Sequence, residues 1–229
     1  KKRLKRLFIP LPLWFCISSD AQVLLLRWVN PPASSFMAIR AVSAWLGGNT
    51  DFRIAYDWRD LQAVSAQLPI AVVASEDQRF PTHHGFDFES MRKAYQSNRK
   101  GRKTRGASTI SQQLAKNLFL WSGRSYVRKA LEAWYTLWIE LLWPKRRILE
   151  VYVNVAEFGD GVYGAQAASM RYFGKPAKSL SRTEAARLAA VLPSPRRYSA
   201  KNPGPYVQRR TRAIERQIGR LGGPGYLHA

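Results

Sequence analysis

Apolar residues dominate from Leu7 to Val29, directly after the basic run Lys1-Lys2-Arg3-Leu4-Lys5-Arg6. That order predicts a membrane anchor with its basic residues left on the cytoplasmic side. Pro10, Pro12, Ser18, Ser19, Asp20 and Arg27 interrupt the span, and a charge at bilayer depth costs about 2.5–3.5 kcal/mol. An interfacial helix and an imperfect signal sequence are the alternatives. Pro31-Pro32 reads as a linker, so the pattern divides the chain into an anchor over 1–32 and a domain over 33–229.

Beyond the linker the pattern is helical. Residues 33–48 are amphipathic, carry Phe36, Ile39, Arg40 and Trp45, and stop at Gly47-Gly48. A helix is expected over 58–68. The apolar run Ile70 to Ala74 is too short for periodicity to decide, and its helical neighbours favour helix. Residues 92–105, rich in Lys and Arg, read as a solvated basic loop. Thr109-Ile-Ser-Gln112 is a capping-box pattern that opens a helix through about Leu120. Further helices are expected over 126–143, from Lys145, over 184–192 behind the capping box Ser181-Arg-Thr-Glu184, and over 206–221 before Gly222-Gly223. No period-2 strand and no internal repeat stands out. The fold class is mainly α.

Composition sharpens this picture in two places. Lys and Arg number 37 against 15 acidic residues, a net charge of +22, which calls for an anionic partner: nucleic acid, an anionic bilayer surface or a phosphorylated substrate. Eight Trp, several beside apolar segments, suit a membrane interface. With 46% hydrophobic residues the chain can build a core, and its one cysteine, Cys16, excludes an intramolecular disulfide.

Three stretches could carry chemistry. In the first, Glu76-Asp77-Gln-Arg-Phe80-Pro-Thr-His83-His-Gly85-Phe-Asp87, two acids follow an apolar run. Burial of one would favour its protonated form, as a general acid or base requires; a capped polar helix end is the plainer reading. His83 and His84 are adjacent and no HExxH spacing exists, so no metal ligands are assigned. The second, Gly106-Ala-Ser108-Thr109-Ile-Ser-Gln112-Gln113-Leu-Ala-Lys116-Asn117, presents free N–H groups at a helix start and places amides and a cation within one turn. It lacks the Gly-Lys-Ser/Thr of a Walker A loop. The third, Arg124-Ser-Tyr-Val-Arg128-Lys129-Ala-Leu-Glu132, sets Arg128 and Glu132 at i,i+4 on an otherwise apolar helix, and a charge pair buried there would need a reason.

Together these stretches resemble the peptidoglycan glycosyltransferases, the lysozyme-like domain of class A penicillin-binding proteins and of their monofunctional relatives. The family patterns Glu-Asp-x-x-Phe-x-x-His-x-Gly-x-Asp, Gly-x-Ser-Thr-Ile-x-Gln-Gln-x-x-Lys-Asn and Arg-Lys-x-x-Glu match residues 76–87, 106–117 and 128–132. A fourth block starts at Arg147-Ile-Leu-Glu150-Val-Tyr152-Val-Asn154 and continues to Gly174; a fifth spans Glu184 to Pro195. The likeness covers about residues 35–215. Ala107, where a second Gly is common, and Asp160, in the glycine-rich turn, depart from the pattern. A chain of 229 residues leaves no room for a penicillin-binding domain, so the resemblance is to the monofunctional branch.

The resemblance implies a lysozyme-like helical domain on a single-pass anchor in the bacterial plasma (inner) membrane, with the catalytic domain extracytoplasmic. It implies lipid II and the growing glycan chain as substrates, the anionic bilayer surface as a partner, and proteins of cell-wall synthesis or the divisome as candidate partners, with no nucleic acid. Glu76 matches the general base and Glu132 the second catalytic acid, which orients cations or donor. Asp77, Phe80, His83, Ser108, Thr109, Gln112, Gln113, Lys116, Asn117, Arg124, Arg128 and Lys129 fall at substrate-binding positions. No cofactor is required, although a divalent cation could assist at the pyrophosphate. A lysozyme-like hydrolase would share the Glu but needs no pyrophosphate cations; a basic nucleic-acid-binding protein would share the charge but not the acidic motif.

Overall fold

A computed structural model describes residues 10–99 and 108–228 of the chain. Residues 1–9, including the basic run, and residues 100–107, which carry Lys100, Arg102, Lys103, Arg105, Gly106 and Ala107, lie outside the described residues. The described fold is mainly helical, as the sequence pattern leads one to expect. In chain order the helices are α1 (Pro10–Leu26), α2 (Ser35–Leu46), α3 (Gln67–Glu76), α4 (Phe88–Arg99), α5 (Ile110–Phe119), α6 (Tyr126–Leu142), α7 (Lys145–Val155), α8 (Ala165–Phe173), α9 (Arg182–Val191) and α10 (Pro205–Arg220).

Helix α3 is the centre of the core. Leu68 through Ala74 are all buried, which is why its sequence shows no amphipathic stripe: a helix covered on every side has no polar face. It packs against α9 and α10, while α5 packs against α6, α7 and α2. The capping boxes form as the sequence suggests. Thr109 Oγ1 accepts from Gln112 N at 3.2 Å while Gln112 Oε1 accepts from Thr109 N at 3.1 Å. Ser181 and Glu184 make the same reciprocal cap, with α9 beginning at Arg182.

Three expectations change. Residues 58–68 do not form one helix; a short 3₁₀ turn, Leu61–Ala63, precedes α3. Side chains of α7 hold this stretch away from helix. Asn154 bridges the backbone N–H and C=O of Arg59 at 2.9 and 2.8 Å, and Glu150 accepts from Leu61 N at 2.8 Å. Residues 92–99, read as part of a basic loop, belong to α4. Asp87 starts that helix, accepting from Ser90 N at 3.0 Å and from Ser90 Oγ at 2.6 Å. Three short strands also exist, β1 (Ala55–Tyr56), β2 (Glu157–Gly159) and β3 (Val162–Tyr163), in the order β1-β3-β2. β1 runs parallel and β2 antiparallel to β3. Strands of two or three residues are too short to show a period.

Helix α1 lies against the domain. Trp134 Nε1 donates to Ser19 Oγ at 3.0 Å, Trp143 Nε1 to Val23 O at 2.7 Å, and Arg147 Nη2 to Leu26 O and Val29 O at 3.0 and 2.9 Å. Its other side exposes Leu13, Trp14, Ile17, Leu24 and Leu25. Among the described residues no helix is long and apolar enough to cross a membrane.

Candidate active site

The two acids that end α3 have different surroundings. Asp77 leaves the helix at φ −156° and ψ 76° and turns its carboxylate inward. It accepts from His83 Nε2 at 2.9 Å and from the first amide of α5, Ile110 N, at 3.0 Å. Gly85 N donates to His83 Nδ1 at 3.1 Å, so Nδ1 is the acceptor and Nε2 carries the hydrogen donated to Asp77. Gly85 itself has φ +84°, and a Cβ there would meet Thr136 Cγ2 at 2.8 Å; both the backbone and the space demand glycine. Thr109 Oγ1 closes the turn by donating to Gly85 O at 2.6 Å. Asp77, Phe80, His83, Thr109 and Gln112 are therefore buried, and the hydrogen bonds of Asp77, His83 and Thr109 lock the N-terminus of α5 against the end of α3.

That lock leaves Glu76 at the rim of the cleft, its side chain 14% exposed. Oε1 accepts from Ser75 Oγ at 2.9 Å and from Arg210 Nη2 at 3.0 Å; Oε2 accepts from Gln113 Nε2 at 3.2 Å. Gln113 Oε1 in turn accepts from the Tyr152 hydroxyl at 2.9 Å. Burial raises the Tyr152 phenol well above its usual pKa, and the charges of Glu76 and Asp77 add to this, so it stays a donor. Neither Arg210 nor Tyr152 stood out as a site residue in the sequence. Tyr152 sits in the fourth motif block, and Arg210 is one Arg among several on a basic helix, 134 residues from Glu76.

Cations gather around a second acid. Glu132 on α6 is buried, and its Oε2 accepts from Arg128 Nη1 at 2.7 Å while Oε1 pairs with Lys129 Nζ. Arg128 Nε donates to Gly123 O at 2.9 Å, which fixes the guanidinium plane. Lys116 on α5 links the two acids: its ammonium feels the charges of Glu132, Arg128, Lys129 and Glu76. Burial lowers its pKa from 10.5, and the carboxylates only partly offset that. Its Nζ also stands 5.6 Å from the Phe36 ring centroid, within cation–π range. Arg124 and Ser108 are exposed, and Asn117 is half-buried.

Cavities lie on either side. One of about 400 Å³ is lined by Glu76, Asp87, Ser90, Lys93 and Ser108. Another of about 220 Å³ is lined by Lys116, Asn117, Tyr152, Glu157 and Phe36. A third, about 440 Å³, runs past Phe80, Lys145 and Leu227 and touches neither Glu76 nor the Lys116–Glu132 group; its size alone gives it no chemistry. Among the described residues no cluster of His, Cys, Asp or Glu is arranged to hold a metal ion. The geometry thus offers a carboxylate, Glu76, held by Gln113 of α5, and a braced group of cations around Glu132 that Lys116 of the same helix adjoins; a group transfer with an anionic leaving group needs both a proton acceptor and such cations.

Comparison with known proteins agrees. The transglycosylase family pattern matches residues 48–218. Proteins named biosynthetic peptidoglycan transglycosylase are similar over nearly the whole chain. That of Xanthomonas campestris pv. campestris (strain B100) is 60% identical over 228 residues, covering 100% of this chain and 93% of the relative. That of Xanthomonas oryzae pv. oryzae is 59% identical over 229 residues, covering 100% and 94%. That of Xylella fastidiosa (strain 9a5c) is 57% identical over 223 residues, covering 97% and 91%. By both the family pattern and these full-length likenesses, the chain belongs to the transglycosylase family.

Proposed function

We propose that the chain polymerises lipid II into linear glycan strands. The carrying observation is that α5 joins the two acids: its Gln113 donates to Glu76 at 3.2 Å, and its Lys116, one turn on, feels the charge of Glu132, which braces Arg128 and Lys129. In this reading Glu76 takes the proton of the acceptor sugar hydroxyl as that oxygen attacks the anomeric carbon of the growing chain. The bond from that carbon to the pyrophosphate breaks, and undecaprenyl pyrophosphate leaves. One displacement inverts the anomeric centre with no covalent enzyme intermediate. Lys116, Arg124, Arg128 and Lys129 receive the developing charge, Arg as a planar fork and Lys as a point charge. Ser108, Gln113 and Asn117 supply hydrogen bonds along the cleft. Asp77, Phe80, His83, Thr109 and Gln112 serve the substrate indirectly, by holding the cleft's walls. A divalent cation, where one takes part, would ride on the pyrophosphate.

Incubating the detergent-solubilised protein with lipid II and resolving the products by size tests this. Polymers that lysozyme digests, that carry no peptide crosslinks and whose formation penicillin does not inhibit are the expected result. Shortening of preformed glycan without polymer formation would replace the reading with a hydrolase. Tight, salt-sensitive retardation of nucleic acid in its place would point to the basic binding protein.

Lipid II is bilayer-borne, so the enzyme must sit on a membrane. The exposed apolar residues of α1, together with Val42, Trp45 and Leu46 of α2 and Leu137 and Leu141 of α6, support lipid contact, and the +22 charge supports anionic headgroups. The basic run ahead of residues 7–29 supports an N-terminus inside the cell and a catalytic domain outside. Protease added to spheroplasts of a producing bacterium should cut the catalytic domain, and a high-salt wash should leave the protein on the membrane. Full protection would reverse this topology, and release by salt alone would make the attachment peripheral.

A further inference from the structure

We propose that Arg210 is a positioning residue that selects which oxygen of Glu76 takes the acceptor's proton. The inference rests on Glu76 being the base of the polymerase. A carboxylate oxygen accepts about two hydrogen bonds in good geometry. Oε1 already has two donors, Ser75 Oγ at 2.9 Å and Arg210 Nη2 at 3.0 Å. Arg210 Nη2 also donates to Ser75 Oγ at 2.9 Å, so the serine proton points away from the guanidinium. Glu76 is its nearer acceptor, since Ala189 O stands at 3.4 Å. Oε1 is filled.

Oε2 differs. Among the described residues it has one donor, Gln113 Nε2 at 3.2 Å. The Tyr152 hydroxyl, donating to Gln113 Oε1, fixes that amide so that its NH₂ end faces Glu76. Among the described residues, one acceptor position on Oε2 has no donor. The proton therefore passes from the acceptor hydroxyl to Oε2 as the new bond to the anomeric carbon forms and the bond to pyrophosphate breaks.

The setting of Arg210 fits a positioning role. Helix α10 buries Val207, Thr211, Ile214 and Ile218 and packs on α3 and α9, which carries the arginine to the end of α3. Among the described residues its Nε is buried without a partner. A buried guanidinium N–H left unpaired costs free energy. The residue is built to reach the carboxylate rather than to satisfy itself.

The test is steady-state polymerisation of lipid II by the full chain carrying Arg210→Met, Arg210→Lys or Tyr152→Phe. Lipid II affinity is measured in the same variants combined with Glu76→Gln, so that turnover does not interfere. Arg210→Met should lower kcat by about 10–100-fold, the scale of a misplaced reacting group, with KM and affinity within about threefold. Arg210→Lys should recover part of the loss, and Tyr152→Phe should lose roughly tenfold through a freed Gln113. Unchanged kcat in Arg210→Met, with Glu76→Gln inactive, overturns the proposal. So does weaker affinity at full kcat, which would make Arg210 a substrate contact. If Arg210→Met fails to fold, the other two variants decide, and normal kcat in both overturns it. A wild-type chain that makes no polymer would instead remove the polymerase reading beneath it.

Discussion

Replacing Glu76 with Gln should lower lipid II polymerisation by about 10²–10⁴-fold, the usual effect of losing a positioned base, while fold and lipid II affinity stay close to those of the parent. The amide is nearly isosteric, and its oxygen can keep the hydrogen bonds from Ser75 and Arg210 at the Oε1 position. Its NH₂ would then face the NH₂ of Gln113, which now donates to Oε2. Turning Gln113 over would relieve that clash only by giving up the hydrogen bond that the Tyr152 hydroxyl now donates to its Oε1. The local rearrangement therefore costs on the order of one hydrogen bond, about 1 kcal/mol, and the domain should remain folded. What is lost is the ability to take a proton. Turnover, lipid II affinity and circular dichroism on the same preparation check this. Near-normal turnover would remove Glu76 as the base and require the whole first motif to be reassigned.

How much of this was legible in the sequence depends on how local each determinant is. The caps at Thr109 and Ser181 are written in four consecutive residues, and both form; the helix behind Thr109 opens at once, while the one behind Ser181 starts at Arg182, two residues ahead of the expected Glu184. The Arg128–Glu132 pair is likewise a matter of one helical turn. By contrast, residues 58–63 are shaped by Asn154 and Glu150, some ninety residues away, and no local rule contains that. Burial is likewise not local. His83 and Gln112 are polar residues in a motif, which reads as substrate contact, and only the fold shows that they are buried with hydrogen bonds to Asp77 and Thr109. The interruptions in the apolar N-terminal run also have a structural use: Ser19, which weakens the span on paper, accepts the Trp134 indole that docks α1. Arg210 was the least legible. A basic helix offers several equivalent arginines until packing against α3 selects one.

Removing the charge of Glu132 should damage the protein in a different way from the loss of Glu76, by loosening the cations rather than the proton transfer. Glu132 is buried and holds Arg128, itself nearly buried, at 2.7 Å. Taking away one partner of such a pair leaves a desolvated charge behind and costs about 3–5 kcal/mol. Glu132→Ala should therefore melt on the order of 10 °C lower, given about 2–4 °C per kcal/mol in a domain of this size. Glu132→Gln keeps one carbonyl acceptor for Arg128 and should lose less. The half-exposed Lys129 contributes little to that cost, since solvent screens its pairing. In both variants lipid II affinity should fall together with kcat/KM, whereas Glu76→Gln should spare affinity. Lys116 adds a pH signature. Burial already lowers its pKa, and Glu132 is the largest influence raising it again, so removing Glu132 lowers it further. Lys116 then loses its proton earlier as pH rises, and the alkaline fall in lipid II binding should move to lower pH in Glu132→Gln than in the parent. Binding titrations across the alkaline range, with Lys116→Arg as a control that stays charged, read this out. An alkaline limb that does not move, or that moves equally in Glu132→Gln and Glu132→Gln/Lys116→Arg, would separate Lys116 from Glu132 and from the pyrophosphate end of the cleft.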